Sequence, residues 1–369
     1  MTSSEKIAAL GEAGRWDLSS TILTTGMEKE GLVPGTIYPS FSDNTKFSLF
    51  KTLMTNACSF DCRYCENSKY CKKKIFSYEP GELAKVFAQL YSNRQVDGLF
   101  LSSGVAGDPD TTMRKMVDAI KLIREKFGFR GYIHLKVLPG SSRDLITEAR
   151  AYANRLSINI EAPNKARLDE LSSMKDFDRD ILRRQEWIRD LKPSGGQTTQ
   201  MIVGAAEETD LEILKTADWE YETMGLRRVY YSPFKPLPET PLEKRENTPQ
   251  ARVHRLYCVD FMLRKYGIPL DEFREVMAEG NLPPGDPKVH LALERFDEPL
   301  DLNNAGYEDL IRIPGIGPVT AYCITALQNK SLPLRKRRQL QSLGVRLKRA
   351  QPFLKIDGHS QKKLSEYKQ

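Results

Sequence analysis

The sequence predicts an α/β fold, a partial (β/α)6 barrel of parallel strands followed by an all-α region. Three observations lead there. Six short apolar runs alternate with helix-spaced segments across residues 46–240, three cysteines crowd into eight positions directly after the first run, and a Pro-Gly-Ile-Gly turn stands between two helical patterns near the basic C-terminus. Strands alternating with helices form parallel sheets through right-handed crossovers, and curving such a sheet gathers the C-terminal strand ends at one mouth.

In chain order, residues 1–45 hold a short helical candidate at 5–10 and then a Gly- and Thr-rich lead-in ending in Pro34, Gly35 and Pro39. The first strand, 47–54, delivers the chain to Cys58. Residues 79–91 carry Leu83, Val86, Phe87 and Leu90 at helical spacing, with Pro80 tolerated in a first turn. A strand at 98–101 precedes a helix at 110–127, where Met113, Met116, Val117, Ile120 and Ile123 recur every three or four residues. The alternation then continues through strand 132–137, helix 143–153, strand 156–160, helices 165–171 and 179–191, strand 199–203, helix 210–224 and strand 228–231. Pro238, Pro241 and Pro249 mark a linker, and residues 241–300 read as helical, with helices at 252–266 and 270–278.

With 369 residues, 40% of them hydrophobic, the chain can fold into more than one domain. No run approaches the ~20 apolar residues of a membrane span, and the first residues lack the basic-then-apolar layout of a signal peptide. The expected location is therefore cytoplasmic, with no membrane partner. Six cysteines, half of them in one loop, argue for cluster chemistry in a reducing compartment and against a disulfide framework. The net charge of +7 is uneven: from Lys330 onward 12 Lys and Arg face Asp357 and Glu366, about +10, which leaves about −3 for the rest. That basic end, with the tail at 356–369, attracts phosphates or is simply a solvated face.

Cys58-Ser59-Phe60-Asp61-Cys62-Arg63-Tyr64-Cys65 reads as a metal clip. Zinc usually takes four ligands in two separated pairs, whereas three cysteines spaced x3 then x2 suit three irons of a four-iron cluster and leave the fourth open. The motif, with aromatic Tyr64 before the third cysteine, resembles that of the radical S-adenosylmethionine (SAM) enzymes. The resemblance implies a TIM-like core over 46–240 and a [4Fe-4S] cluster on Cys58, Cys62 and Cys65. It further implies SAM chelated at the open iron, an electron donor, and reductive cleavage to a 5′-deoxyadenosyl radical that attacks a C–H bond.

The same resemblance assigns cofactor contacts. Tyr64 flanks the cluster. Ser102-Ser103-Gly104 stands where the superfamily often has a Gly-Gly-Glu type segment that receives the SAM amino group; the carboxylate is missing, so only the backbone role carries over. Lys136, Asn159, Glu161, Val203 and Gly204, at strand ends, suit the SAM carboxylate, ribose and adenine, although each could merely solvate a loop. Asp108 is a helix cap or a contact. Cys71 either ligates or guards the cluster or is an incidental thiol, Cys258 and Cys323 read as packed hydrophobes, and His134 and His254 read as structural. No catalytic side chain is assigned.

Near the C-terminus, Leu310-Ile311-Arg312-Ile313-Pro314-Gly315-Ile316-Gly317-Pro318, running on to Ala321, resembles the helix-hairpin-helix of DNA repair and recombination proteins. That implies phosphate contacts at Gly315, Ile316 and Gly317, because glycines let turn amides approach a phosphate; the alternative is a hairpin that packs on protein. Residues 340–350 can be laid over it at a constant offset, with Gly344 on Gly315, Val345 on Ile316 and Ala350 on Ala321. A degenerate second hairpin follows, with Arg346 replacing the second glycine and Lys348 and Arg349 opening the next helix. Residues 301–355 are thus expected to form a tandem nucleic-acid-binding domain that engages both strands of a duplex.

The order of parts resembles a bacterial and archaeal family described as DNA modification or repair radical SAM proteins, over nearly the whole chain. Its members are often encoded beside a uracil-DNA-glycosylase-like protein, which the resemblance implies as a partner. Three functions compete: a radical SAM enzyme modifying or repairing a base in DNA, the same chemistry on tRNA or other RNA, and a non-catalytic iron-sulfur protein that recruits a repair partner. A base inside a duplex would have to be flipped, or the substrate single-stranded, to reach a barrel interior.

Overall fold

The structure, a computed structural model, describes residues 4–17, 36–42, 45–356 and 359–360. Most of the Gly- and Thr-rich lead-in, and Lys362, Lys363 and Lys368 of the basic tail, lie outside the described residues. The chain divides into two compact units, one of residues 1–208 and 219–249, the other of 209–218 and 250–369.

The first unit holds one seven-stranded sheet in sequence order: β1 (Ile37–Ser42), β2 (Thr45–Leu53), β3 (Gly98–Ser102), β4 (Tyr132–Lys136), β5 (Arg155–Ser157), β6 (Gln197–Val203) and β7 (Arg228–Pro233). Strands β2 to β7 are parallel and form the expected six-stranded partial barrel. The antiparallel edge strand β1 is an addition to the sequence reading, which took this segment only as a lead-in ending at Pro39. Helices α1 (Ser4–Ala13), α2 (Pro80–Ser92), α3 (Pro109–Glu125), α4 (Arg143–Tyr152), α5 (Lys165–Leu171) and α6 (Arg183–Leu191) supply the connections, and the residues of α7 (Asp210–Glu222) are divided between the two units. Parallel strands covered on both faces need continuous burial, and β3 is buried at all five positions. The 179–191 helix is preceded by a π-helical turn, Phe177–Leu182, of a kind that frequently accompanies function.

Register places the polar residues of the sheet. Leu53 pairs with Ser102, Leu101 with Leu135 and Lys136 with Ser157. Because side chains alternate with period two, Leu53, Ser102 and Lys136 share one face at the C-terminal strand ends, above a layer of Lys51, Phe100 and His134. His134 meets the Ser157 hydroxyl at 2.6 Å, and burial pushes its pKa well below the usual range, as befits a structural histidine.

The second unit holds α8 (Gln250–Tyr266), α9 (Leu270–Glu275), α10 (Pro287–Arg295), α11 (Tyr307–Leu310), α12 (Pro318–Asn329), α13 (Arg337–Ser342) and α14 (Leu347–Ala350). A small sheet joins them, in which β8 (Leu300–Asp301) pairs parallel with β9 (Leu354–Ile356) and β9 antiparallel with β10 (His359–Ser360). No helix among the described residues is long and apolar enough to cross a membrane.

Candidate functional site

At the C-terminal strand ends of the first unit lies an open cleft with about 870 Å³ of empty space continuous with solvent. Its lining includes Cys58, Cys62 and Cys65, and also Tyr64, Ser102, Ser103, Gly104, Lys136, Asn159 and Glu161. Residues far apart in sequence are thus brought together around the cysteine loop. Val203 and Gly204 lie elsewhere: the Val203 carbonyl accepts from the Phe234 amide at 2.9 Å and the Thr248 hydroxyl at 2.7 Å, while the Gly204 amide donates to Glu208. Gln200 and Ile202 of the same strand face the cleft instead. Cys71 does not line it, and its thiol faces the Cys65 carbonyl at 3.7 Å. Asp108 caps α3 through the Thr111 amide at 2.8 Å.

The cysteine loop is fixed by backbone contacts. The Gly104 amide donates to the Thr55 carbonyl at 2.8 Å and the Ser59 amide to the Val105 carbonyl at 2.7 Å. A Cβ on Gly104 would stand 2.4 Å from the Ala57 oxygen and 3.2 Å from Cys58 Cβ, so only glycine permits this approach. Asp61, inside the motif, reaches outward to a distant loop. It accepts from the Ser172 and Ser173 hydroxyls, each at 2.5 Å, and from the Ser173 and Met174 amides at 3.2 and 3.3 Å. Burial opposes its charge, but these donors prevail and hold its pKa at about 2.

Sequence reasoning missed Asp61 and also four residues that the fold delivers to the cleft: Trp16, Asp17, Lys175 and Gln200. Trp16 and Asp17 come from the turn after α1, which the sequence presented only as lead-in. Burial pushes the Asp17 carboxyl up, yet Lys136, 3.5 Å away, and Lys51 outweigh it and hold the group below the usual carboxylate range. Lys136 also donates to Asn159. Buried Lys51 donates to the Arg15 and Asp17 carbonyls, and burial pushes its pKa down to about 8. Glu161 has φ +66, a left-handed conformation costly for a residue with a Cβ, of the sort that clusters at functional sites. Its Oε1 lies 3.3 Å from the Lys175 ammonium. Burial and the Glu161 charge together raise the Tyr64 hydroxyl well above its usual pKa.

This donor set fits an iron-sulfur cluster and a polar ligand. Three thiols spaced x3 then x2 on one loop and lining one cleft suit separate ligands to several irons. Burial pushes the Cys62 and Cys65 thiols up. Metal coordination is what makes such thiols thiolates. Four buried polar atoms on the cleft wall, Trp16 Nε1, Asn67 Oδ1, Ser103 Oγ and Glu161 Oε2, have no hydrogen-bond partner among the described residues, and a polar ligand would satisfy them.

In the second unit the two turns match closely. Gly315 and Gly344 both adopt φ +91, Ile316 and Val345 are both buried beneath, and so are Ala321 and Ala350. The turns pack on each other: the Arg346 amide donates to the Gly315 carbonyl at 2.9 Å, and the Thr320 hydroxyl to the Leu343 carbonyl at 3.1 Å. They differ in what they offer. The Gly344, Val345 and Arg346 amides are all engaged within the unit, whereas those of Gly315 and Gly317 have no acceptor among the described residues. Arg346, Lys348 and Arg349 are exposed, and Arg349 pairs with Asp286. Behind the first turn, buried Lys288 donates to the Ile316 carbonyl at 2.5 Å and lies over the Tyr266 ring, and burial pushes its pKa down to about 7.

Residues 52–219 match the family model described as the Radical SAM superfamily. No curated protein matches the chain. Among solved structures it is similar to HydG, a maturase of the [FeFe]-hydrogenase, at 13% identity over 58% of this chain and 49% of that one, with a TM-score of 0.46. Methylornithine synthase (PylB) gives 15% over 58% and 61%, with a TM-score of 0.49. Coproporphyrinogen III oxidase (HemN) from Escherichia coli, described as a radical SAM enzyme, gives 20% over 49% and 43%, with a TM-score of 0.35. In each case the match spans less than two thirds of the other protein's length. Residues 52–219, which hold most of the six-stranded partial barrel and the three cysteines at its mouth, therefore form a radical SAM domain, the domain of a superfamily of enzymes that use a [4Fe-4S] cluster and SAM.

Proposed function

We propose that the protein is a cytoplasmic radical SAM enzyme that modifies or repairs a base in DNA. The observation that carries the DNA reading is the pair of matched turns in the second unit, with Gly315 and Gly344 in one backbone conformation and exposed cations beside them. Available amides come from the first turn and cations from the second, so the two hairpins together make one composite phosphate-backbone surface rather than two equivalent ones. Such contacts position nucleic acid without reading its sequence.

Cys58, Cys62 and Cys65 would hold the cluster. When bound, cluster and SAM supply a 5′-deoxyadenosyl radical able to take hydrogen from an unactivated carbon. The chain's own residues bind and orient. Ser103, Asn159 and Glu161 offer polar groups to SAM, Lys136 with Asp17 fixes charge at the barrel mouth, and Trp16 covers one wall. A base presented to these strand ends must leave its stack, which costs a few kcal/mol. Backbone contacts at the hairpins would offset that cost. An electron donor, and a uracil-DNA-glycosylase-like protein acting on the same base, are the partners this reading expects.

The test is binding across a salt series to duplex DNA, single-stranded DNA and tRNA by the full-length protein and by Arg346→Ala and Lys348→Ala. Each substitution should lower the slope of log affinity against log salt by about 1 for DNA. Unchanged slopes, or preferential binding of tRNA, would overturn the DNA reading.

A further inference from the structure

Lys175 has no part in SAM chelation as described above, yet it is among the most enclosed cations of the first unit, its side chain only 5% exposed. Burying an ammonium is costly unless the surroundings hold it in place, and here they do so from both sides. Upstream, Asp61 draws in the Ser172 and Ser173 hydroxyls and the Ser173 and Met174 amides, and the Arg63 amide donates to the Leu171 carbonyl at 2.9 Å. Downstream, Asp176 caps the π-helical turn through the Arg179 amide at 2.6 Å. Between these clamps the Lys175 ammonium stands 5.7 Å from the Phe60 ring centroid and 3.3 Å from Glu161 Oε1, and it lines the same cleft as Cys62. Asp61 lies next to Cys62 in sequence, so the residue that fixes the lysine loop is part of the loop that carries the sulfur.

We propose that Lys175 is an electrostatic positioning residue that raises the reduction potential of the cluster through Cys62, with Glu161 acting in the opposite sense. The inference rests on Cys62 being a cluster ligand. One-electron reduction by the external donor adds a negative charge to the cluster. A fixed cation beside a ligand sulfur favours that reduced form, and a nearby carboxylate disfavours it. Glu161 thereby neutralises the lysine enough for it to be buried while leaving its charge directed at the sulfur.

The test is a potentiometric titration, followed by electron paramagnetic resonance without SAM, of the reconstituted full-length protein and its Lys175→Met, Lys175→Arg and Glu161→Gln variants. Lys175→Met should lower the ratio of reduced to oxidised cluster about tenfold at fixed solution potential, a midpoint shift of roughly 59 mV for one electron. Glu161→Gln should shift the midpoint the other way, and Lys175→Arg should stay near wild type. A purely structural ion pair predicts that Lys175→Met and Glu161→Gln move the midpoint together or not at all, and either result overturns the proposal. Iron content of each variant checks loading. Should Lys175→Met fail to load, the upward shift in Glu161→Gln remains the required outcome and its absence is decisive.

Discussion

The cysteine cleft and the paired hairpins are assembled by opposite means. In the cleft the chemistry-bearing motif is local, but its support is remote: Asp61 bonds to residues 111 to 113 positions away, and Gly104 admits the loop from a different strand end. In the hairpins the support is local and repeated, one left-handed glycine per turn over matched buried aliphatics. A site that must hold a reactive cofactor is over-determined by the whole barrel, whereas the surface proposed to meet a phosphate backbone is made from a short repeated turn.

The largest effect on the cleft itself, and the one that would sharpen this contrast most, is the loss of cluster loading expected from Gly104→Ala. The new Cβ would force the Ala57 carbonyl and Cys58 apart, at about 2–3 kcal/mol for overpacking against backbone. The reconstituted protein should lose most of its iron and its charge-transfer absorbance. Normal iron loading would show that the loop is held less firmly than its contacts imply.

The two units should also respond oppositely to pH. Glu220 in the first unit is fully buried and accepts from the Gln185 side-chain amide at 2.9 Å, and burial lifts its pKa from 4.5 to about 8. Its folded-state pKa is raised, so its contribution is fully present below pH 4.5 and is lost as pH rises through about 8. In the second unit, burial depresses Lys288 from 10.5 to about 7. The unfolded chain then binds the extra proton between these values, so stability rises with pH across that window. Each effect is on the order of 2–4 kcal/mol. Hydrogen exchange at pH 6 and pH 9 should show the first unit weakening and the second strengthening, with Glu220→Gln and Lys288→Met flattening the respective trends. Parallel behaviour of the two units would break the contrast.

The smallest effect separates the two turns. Gly315→Ala meets both a left-handed φ and the Arg346 carbonyl 2.6 Å from its Cβ, at about 2–3 kcal/mol, whereas Gly344→Ala meets the φ and only the Thr320 hydroxyl at 3.3 Å, at about 1 kcal/mol. Denaturant midpoints of the two variants check the order. Equal losses would mean the turns do not depend on each other through Gly315.

What the sequence made legible follows the same division. Strand-helix alternation was readable because buried parallel strands need unbroken apolar runs, and the second turn because glycine spacing repeats with its aliphatic neighbours. β1 was hidden by Pro39 at a sheet edge, and the small β8–β10 sheet by strands of two or three residues. β5 stops at Ser157, leaving Asn159 and Glu161 on a loop whose left-handed bend no composition rule foretells. Lys175, Asp17 and Trp16 gave no signal because nothing in a lone lysine or a lead-in segment announces which strand end it will face. Asp61 was in view, inside the motif, but its partners were not.

The most direct measurement is anaerobic turnover of the reduced, reconstituted full-length protein with SAM, with and without DNA, followed by mass analysis of the bases. Radical SAM chemistry on DNA predicts 5′-deoxyadenosine that disappears in Cys62→Ala, rises when DNA is added and accompanies an altered base. Formation of 5′-deoxyadenosine that is indifferent to DNA, with tRNA alone yielding a modified base, would contradict it.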